Sequence, residues 1–500
     1  MSETVFEVIR PDSLRRCGAG QAVVEARLGP VPGTSFAKIL SISTTATASL
    51  TDVFKGEARY GGRVSFCVIY ADEEGRTEAV EYAADFTDKV VADSIENGMR
   101  AMISSHILDT DTVSVAPEEV KIAAVVEVFV DGLVSGEIRF VASTAEGVYN
   151  KSEEVEFSRL SAHGDDSFVI NDDVKMGRVE RILSVSATPV TRKISCGIDT
   201  VMFDCLLHAN VIYLTDDGVL RQLSHTTPFV QETAAGGAKS DDVAMGEVRI
   251  KHVRAELTGN ENIRIDYSLS AQFFAFGEEL AMPVTSVFSV GHSLVSEGED
   301  VALTRMKGII CFDDRVEGSA TLDVSMPAAD VVLSSSGTGM SVSSSTVVGD
   351  KIVVEGVAGV NVVYYNASVN TKNAVSVELP FSLTFPTRCE EGDSVVTTGR
   401  ITNVSVKIRR GNEMDIRAEI ALSAQVSSEV KRHFVTGLEL GEPRPLPTTA
   451  FSIYVARTEE DLWDLARALD CDPEQIKTQN PDLTLPLAGG ERVIVYRGNI

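Results

Sequence analysis

Seven histidines and seven cysteines are the residues of this chain best suited to nucleophilic or metal chemistry, and they stand among 73 acids. A metal site needs ligands that return to one point, as zinc spacings do. The histidines, at 106, 163, 208, 225, 252, 292 and 433, stand singly, none three or four residues from another. The cysteines, at 17, 67, 196, 205, 311, 389 and 471, form no Cys-x-x-Cys pair. Neither a metal nor a cofactor is expected. One thiol does stand near an imidazole, Cys205 and His208 in CLLH, but on a strand residues three apart point to opposite faces. The pair reads as a packed core cysteine and an edge histidine. Acid pairs at Asp165-Asp166, Asp172-Asp173 and Asp313-Asp314 fall in loop-like contexts, whereas a glycosidase needs two carboxylates that the fold brings together. The phosphate cradle GxxxxGKS/T, the elbow GxSxG and the zinc motif HExxH are all missing. The expectation is a protein that is not an enzyme.

Composition narrows the partners. Five hundred residues suggest three or four domains, and 44% apolar with 24% charged residues suits a globular chain. A net charge of −28 opposes binding to nucleic acid or to anionic membrane surfaces. The amino-terminal stretch lacks a signal-like apolar run, and no window reaches the roughly 18 apolar residues of a membrane span. An odd, scattered cysteine set reads as reduced thiols. Together these predict a cytoplasmic protein.

The elements that must carry these residues repeat. KILSIS at 38–43 returns as RILSVS at 181–186, Tyr70 as Tyr213, and Phe86 as Phe229, all at one offset of 143. A looser third copy holds Leu333 for Leu183, Tyr364 and Phe381. FCVIYADEEG (66–75), HANVIYLTDDG (208–218) and GVNVVYYNASVN (359–370) are the same strand and turn three times. VRAELTGNENIRIDYSLSAQ (253–272) and VSVKIRRGNEMDIRAEIALSAQ (404–425) read as hairpins, with Gly259 and Gly411 where φ > 0 is free for glycine, and 113–130 turns at Ala116-Pro117-Glu118-Glu119. A period of two and frequent turn signals predict a mainly β protein of three repeated sandwich-like units, over 1–148, 149–292 and 293–440, and a small domain over 450–498. Each unit is large enough to fold alone, so the repeats read as beads rather than thin solenoid turns, with linkers near 145–155, 292–300 and 437–450; how the beads pack is left open by the residue pattern. A loop or polar edge strand is expected at 334–346, and one short helix within 92–107. Asp72-Glu73-Glu74 reads as a solvated turn; a calcium loop would need oxygen ligands that the other copies do not repeat.

From Phe451 the pattern becomes β-α-α-β. Thr458 reads as a helix cap with Asp461 three residues on, and Leu462, Leu465, Ala466 and Leu469 form one apolar stripe. Asp472-Pro473-Glu474-Gln475 starts a second helix, Asn480-Pro481 stops it, and Gly489-Gly490 turns into the strand Arg492 to Tyr496. Glu460-Asp461-Leu462-Trp463, Asp472 to Ile476, Asn480-Pro481 and Arg492 to Val495 make this tail resemble a LysM domain, with Glu459-Glu460 where that family has Gly-Asp. The resemblance implies a shallow groove between the loop Arg457, Thr458, Glu459, Glu460, Asp461 and the loop Gln479, Asn480, Pro481, Asp482, Leu483. It also implies N-acetylglucosamine polymers such as peptidoglycan as one ligand class. Trp463, the single tryptophan, reads as core of this small domain.

With that tail, the repeats resemble SPOCS domains: an Ile-Leu-Ser-Val entry strand, a Val-Ile-Tyr strand, and Pro228-Phe229 or Pro380-Phe381, with Asp85-Phe86 in the first copy. SPOCS units followed by one LysM resemble the SipL family of endospore-forming clostridia. What this implies is a spore-coat morphogenesis scaffold at the forespore surface, on the mother-cell side. Its LysM loops would dock a coat-basement ATPase of the SpoIVA kind, and its other units further coat proteins. The alternative is a glycan binder at the cell or spore wall.

Overall fold

The computed structural model describes residues 3–259, 261–410, 412–445, 451–487 and 489–496; Gly411 lies outside them. The chain is mainly β, 74% strand and 3% helix. The first unit holds β1 (Val5–Ile9), β2 (Asp12–Leu28), β3 (Lys38–Phe54), β4 (Glu57–Ala71), β5 (Thr77–Val91), β6 (Ala101–Ala116), β7 (Glu119–Ser135) and β8 (Ile138–Ser143). The second holds β9 (Val148–Ser152), β10 (Val155–Lys175), β11 (Arg181–Gly197), β12 (Thr200–Leu214), β13 (Leu220–Ala234), β14 (Val243–Leu257), β15 (Asn262–Ala281) and β16 (Val284–Ser289). The third holds β17 (His292–Thr321), β18 (Val331–Val348), β19 (Lys351–Asn366), β20 (Thr371–Pro386), β21 (Ser394–Arg410) and β22 (Glu413–Pro443). The tail is β23 (Phe451–Val455), α1 (Leu462–Leu469), α2 (Pro473–Gln479) and β24 (Arg492–Tyr496).

Each unit stacks two three-stranded antiparallel sheets: β2-β7-β6 on β3-β4-β5, β10-β15-β14 on β11-β12-β13, and β17-β22-β21 on β18-β19-β20. The middle strands supply the core because neighbours cover both of their edges and the opposite sheet covers one face. In β7, Val120, Ile122, Ala124, Val126, Val128 and Val130 alternate inward, all nearly inaccessible, against Val64, Phe66, Val68 and Tyr70 of β4. Burying a side chain of this size is worth about 1.5–3 kcal/mol, so period two alone fixes which face turns in. Ribbons β1-β8 and β9-β16 extend the first two units. In the third unit the ribbon is fused into the long pair β17-β22, which runs from His292–Pro443 to Thr321–Glu413.

The units pack against one another. Leu40, Leu183 and Leu333, the equivalent entry-strand leucines, meet in one cluster with Ile69, Ile212 and Val363. A second shared cluster joins Leu14, Met102, Met245, Phe274 and Met306. Polar contacts run around the same ring. Asp12, Ser158 and Thr304 recur every 146 residues. Asp12 accepts the N–H of Leu160 at 2.9 Å, Ser158 accepts that of Met306 at 2.9 Å, and Arg15 donates to Thr304 at 2.7 Å. At the other end Arg181 donates to Glu78 at 2.8 Å, Gln222 to the Ser335 carbonyl at 2.7 Å, and Lys38 to Asn373. The second unit thus reaches the first, the third the second, and the first the third.

Other expectations are corrected. Residues 92–100 form turns rather than a helix: Gly98 sits at φ +69, its N–H goes to the Val53 carbonyl, and Ile95 plugs the core with no exposure. Stretches expected as linkers are strand, β9 and the start of β10 near 145–155, the opening of β17 at 292–300, and the end of β22 over 437–443. Their acids and glycines face outward while the backbone pairs. Of the two forms expected for residues 334–346, the polar edge strand is the one found, in β18, whose Ser335 donates to the Val404 carbonyl at 2.8 Å. Gly259 lies in its turn without positive φ. The acid pairs sit in strands β10 and β17, and Asp166 and Asp172 accept hydrogen bonds from β13 side chains. Asp72 is not a solvated turn acid. Its carboxylate is buried and accepts the N–H groups of Glu74 and Arg76 at 3.0 and 2.8 Å, the structural role that Asn366 repeats for Val369 at 2.9 Å.

Candidate functional site

The tail is built as a helix pair on a two-stranded sheet. Leu465, Ala466, Cys471, Ile476, Leu487, Val493 and Val495 form its core. The first helix starts three residues later than its sequence suggests. Glu459 takes φ +65, which breaks the path from Thr458, so Asp461 becomes the cap, accepting the Asp464 N–H at 2.8 Å while Asp464 returns to the Asp461 N–H. Acids there also suit the positive end of the helix. Asp472 caps α2 through the Glu474 N–H at 2.9 Å, with Pro473 at the first helical position. Gln475 does not close a capping box; it donates to the Tyr496 carbonyl at 3.0 Å.

Much of the expected loop surface serves the fold. Glu460 is held inside its own loop, accepting from the Arg457 N–H at 2.7 Å and from Tyr454 at 2.8 Å. The second pair pushes the Tyr454 hydroxyl above its ordinary range. Asp461 caps α1 and lies 3.4 Å from Lys151 of β9. Gln479 exchanges both amide bonds with the backbone of Tyr496, and Asn480 does the same with Ile494, each contact at 2.7–2.8 Å. These two side chains act as a substitute strand along β24. Thr458, Glu459, Pro481 and Asp482 remain exposed, and Leu483 packs in part against the tail core.

Two features were not visible in the residue pattern. The first is the outer face of the tail sheet, where Phe451 pairs with Tyr496 and Ile453 with Ile494, and Val455 follows. All five are exposed, between 40% and 58%. Period two predicts one buried face, here Tyr454, Val493 and Val495, but says nothing about why the other face is apolar. The second is the seat of Trp463. It is half-buried and lies edge-on to Phe288 of β16 at 4.8 Å, so it joins tail to body and is not confined to the small domain's own core.

Elsewhere the chemistry-bearing groups are turned to structure. Cys205 is fully buried, donates to Thr191 at 3.7 Å, and its thiol is pushed up to about 12 by burial, the opposite of an activated nucleophile. His208 points to Thr226 at 3.2 Å. Cys17, Cys67, Cys196, Cys205, Cys311 and Cys389 are free thiols. Among the described residues no group of three or more His, Cys, Asp and Glu side chains could hold a metal ion. A small cavity between the three units is lined by Arg16, Asp131, Glu247 and Arg400. Arg16 grips Asp131 through two bonds of 2.7 and 3.2 Å, and Glu247 lies between Arg249 and Arg400. Burial opposes the Glu247 charge, yet the two guanidiniums hold its carboxyl below the usual range. No helix among the described residues is long and apolar enough to cross a membrane.

Fold and site define a repeat protein of two-sheet units carrying a small βααβ module. The family model described as "SipL, SPOCS domain" matches residues 178–258 and 329–409. These two stretches span β11–β14 and β18–β21, the same four strands of the second and third units. Over these two stretches the chain is similar to the SPOCS domain of SipL. The first unit, with the same strand order, lies outside both matches. No curated protein and no solved structure matches the chain.

Proposed function

We propose that this chain is a non-enzymatic scaffold of spore-coat assembly, held in the mother-cell cytoplasm at the forespore surface. Its LysM-like tail docks a coat-basement ATPase of the SpoIVA kind. The observation that carries the docking is the exposed apolar face of Phe451, Ile453, Val455, Ile494 and Tyr496. Contiguous apolar surface of this kind on a polar domain marks an interaction site. The glycan reading is less well supported, because the loop amides of Gln479 and Asn480 already pair with β24.

The test is capture of the basement ATPase from sporulating cells by the full chain, and by the chain carrying Ile453→Asp with Ile494→Asp. Loss of capture at unchanged melting temperature supports the proposal. Equal capture by both chains refutes it. Binding of chitooligosaccharides that survives the double change would point to the glycan alternative.

A further inference from the structure

A groove at the junction of tail and body runs counter to the charge of the whole chain. It lies between α1, the β9–β16 ribbon and β22, and measures about 400 Å³. Lys151, Lys431, Arg432 and Arg467 line it against only two carboxylates, Glu153 and Asp464, with His433 beside them. The chain as a whole carries 28 more acids than bases. Trp463 forms one wall, and it stands one helical turn from Arg467 on the same face of α1.

The cations are largely unspent. Arg467 and Lys431 form no ion pair among the described residues. Lys151 reaches Asp461 at 3.4 Å and Arg432 reaches Glu153 at 3.6 Å, both pairs exposed. Pairs of that kind are worth about 0–1 kcal/mol and exchange readily for a better anion. His433 is engaged by Asp300 at 2.9 Å.

We propose that this groove binds an acidic peptide segment of another protein, carboxylates against Lys431 and Arg467 and one apolar side chain against the Trp463 indole. Three observations select that chemistry. The cations come from three separate elements, β9, β22 and α1, which suits spaced carboxylates better than one compact phosphate. The nearest helix start is filled by its own acids, Asp461 and Asp464, so no helix N-terminus is open to a phosphate. A neutral sugar polymer would leave four cations unused. Trp and Arg are also the residue types that dominate the energy of protein interfaces. This site is independent of the apolar sheet face proposed above.

The experiment is fluorescence anisotropy of labelled decapeptides of Asp and Glu, each with one central Leu, Phe or Tyr, titrated with the full chain. Chitotetraose and inorganic phosphate serve as competitors. Saturable binding is expected, weakened about tenfold or more by Lys431→Glu with Arg467→Glu and by added salt, as a screened charge contact requires. Melting temperature should not change, and Ile453→Asp with Ile494→Asp should leave peptide binding intact. That separates failure here from failure of the docking proposal. The inference is overturned if no acidic peptide binds saturably, if the charge-reversed chain binds equally well, or if phosphate or chitotetraose displaces the peptide.

Discussion

Trp463 and Phe288 meet edge to face at 4.8 Å, and Phe288 stacks in turn on Tyr149 at 5.1 Å, so three rings from the tail and the β9–β16 ribbon form one continuous contact. Phe288 is 7% exposed and is part of the same cluster as the tail core. The tail is therefore seated on the body through apolar packing as well as through Arg444, which reaches both the Ser289 carbonyl and Asp470.

Phe288→Ala should cost about 3–5 kcal/mol, taken from the junction rather than from any unit's own core. Because the chain has a single tryptophan, its emission reads the junction directly. The variant should show red-shifted Trp463 emission while the far-ultraviolet β signal persists. An unchanged emission maximum would show that the contact does not form.

The shared leucine cluster leads to a prediction about cooperativity. Leu183 is 5% exposed only because Leu40, Ile212 and Val363 surround it. Leu183→Ala should cost about 2–5 kcal/mol and lower the melting of all three units together, seen as one shifted calorimetric transition. Independent beads would instead show one shifted transition beside two unshifted ones.

What the sequence made legible follows from local physics. Strand alternation, the 143-residue offset and the tail's helix stripe each reflect neighbours close in the chain, and the strands, hairpins and β-α-α-β order are found where those patterns lie. The ring of units was hidden because Leu40, Leu183 and Leu333 look like ordinary core positions of separate sandwiches. Strand ends at 292–300 and 437–443 were hidden because an acidic or glycine-containing segment can pair its backbone while its charged side chains stay wet. The cap at Asp461 was displaced by one backbone conformation at Glu459. The groove draws on residues near 151, 431 and 463, which only the tail's seat on the body brings together.

His106 should make stability depend on pH. Burial, then the neighbouring Arg400, with Arg16 and Arg249 adding and Glu247 opposing, pushes its imidazole down to about 4 from an ordinary 6.5. Between those values the unfolded chain takes up a proton that the folded chain refuses, so stability falls as pH drops through that window and is unaffected above it. His106→Gln should flatten the fall in melting temperature between pH 6.5 and about 4, with little change at pH 7.5. A slope identical to that of the parent chain would assign the effect to other groups.

The repeated phenylalanines have a steric reason that a glycine exchange can test. A Cβ on Gly62 would lie 2.2 Å from the Thr47 carbonyl and 2.6 Å from the Phe86 ring, and one on Gly356 would lie 2.2 Å from the Ser341 carbonyl and 2.6 Å from the Phe381 ring. In both units the ring covers a glycine directly across the ladder. The second unit places Cys205 opposite Phe229, and that ring lies 6.0 Å from Phe168. Gly356→Ala should therefore destabilise by about 1–3 kcal/mol. Adding Phe381→Ala should relieve the ring clash but not the carbonyl clash, giving a measurable coupling between the two sites. Cys205→Gly tests the converse: if the second unit is built to hold a side chain there, the exchange leaves a void and lowers the melting temperature, whereas an unchanged value would mean that the three units share one tolerance at this position.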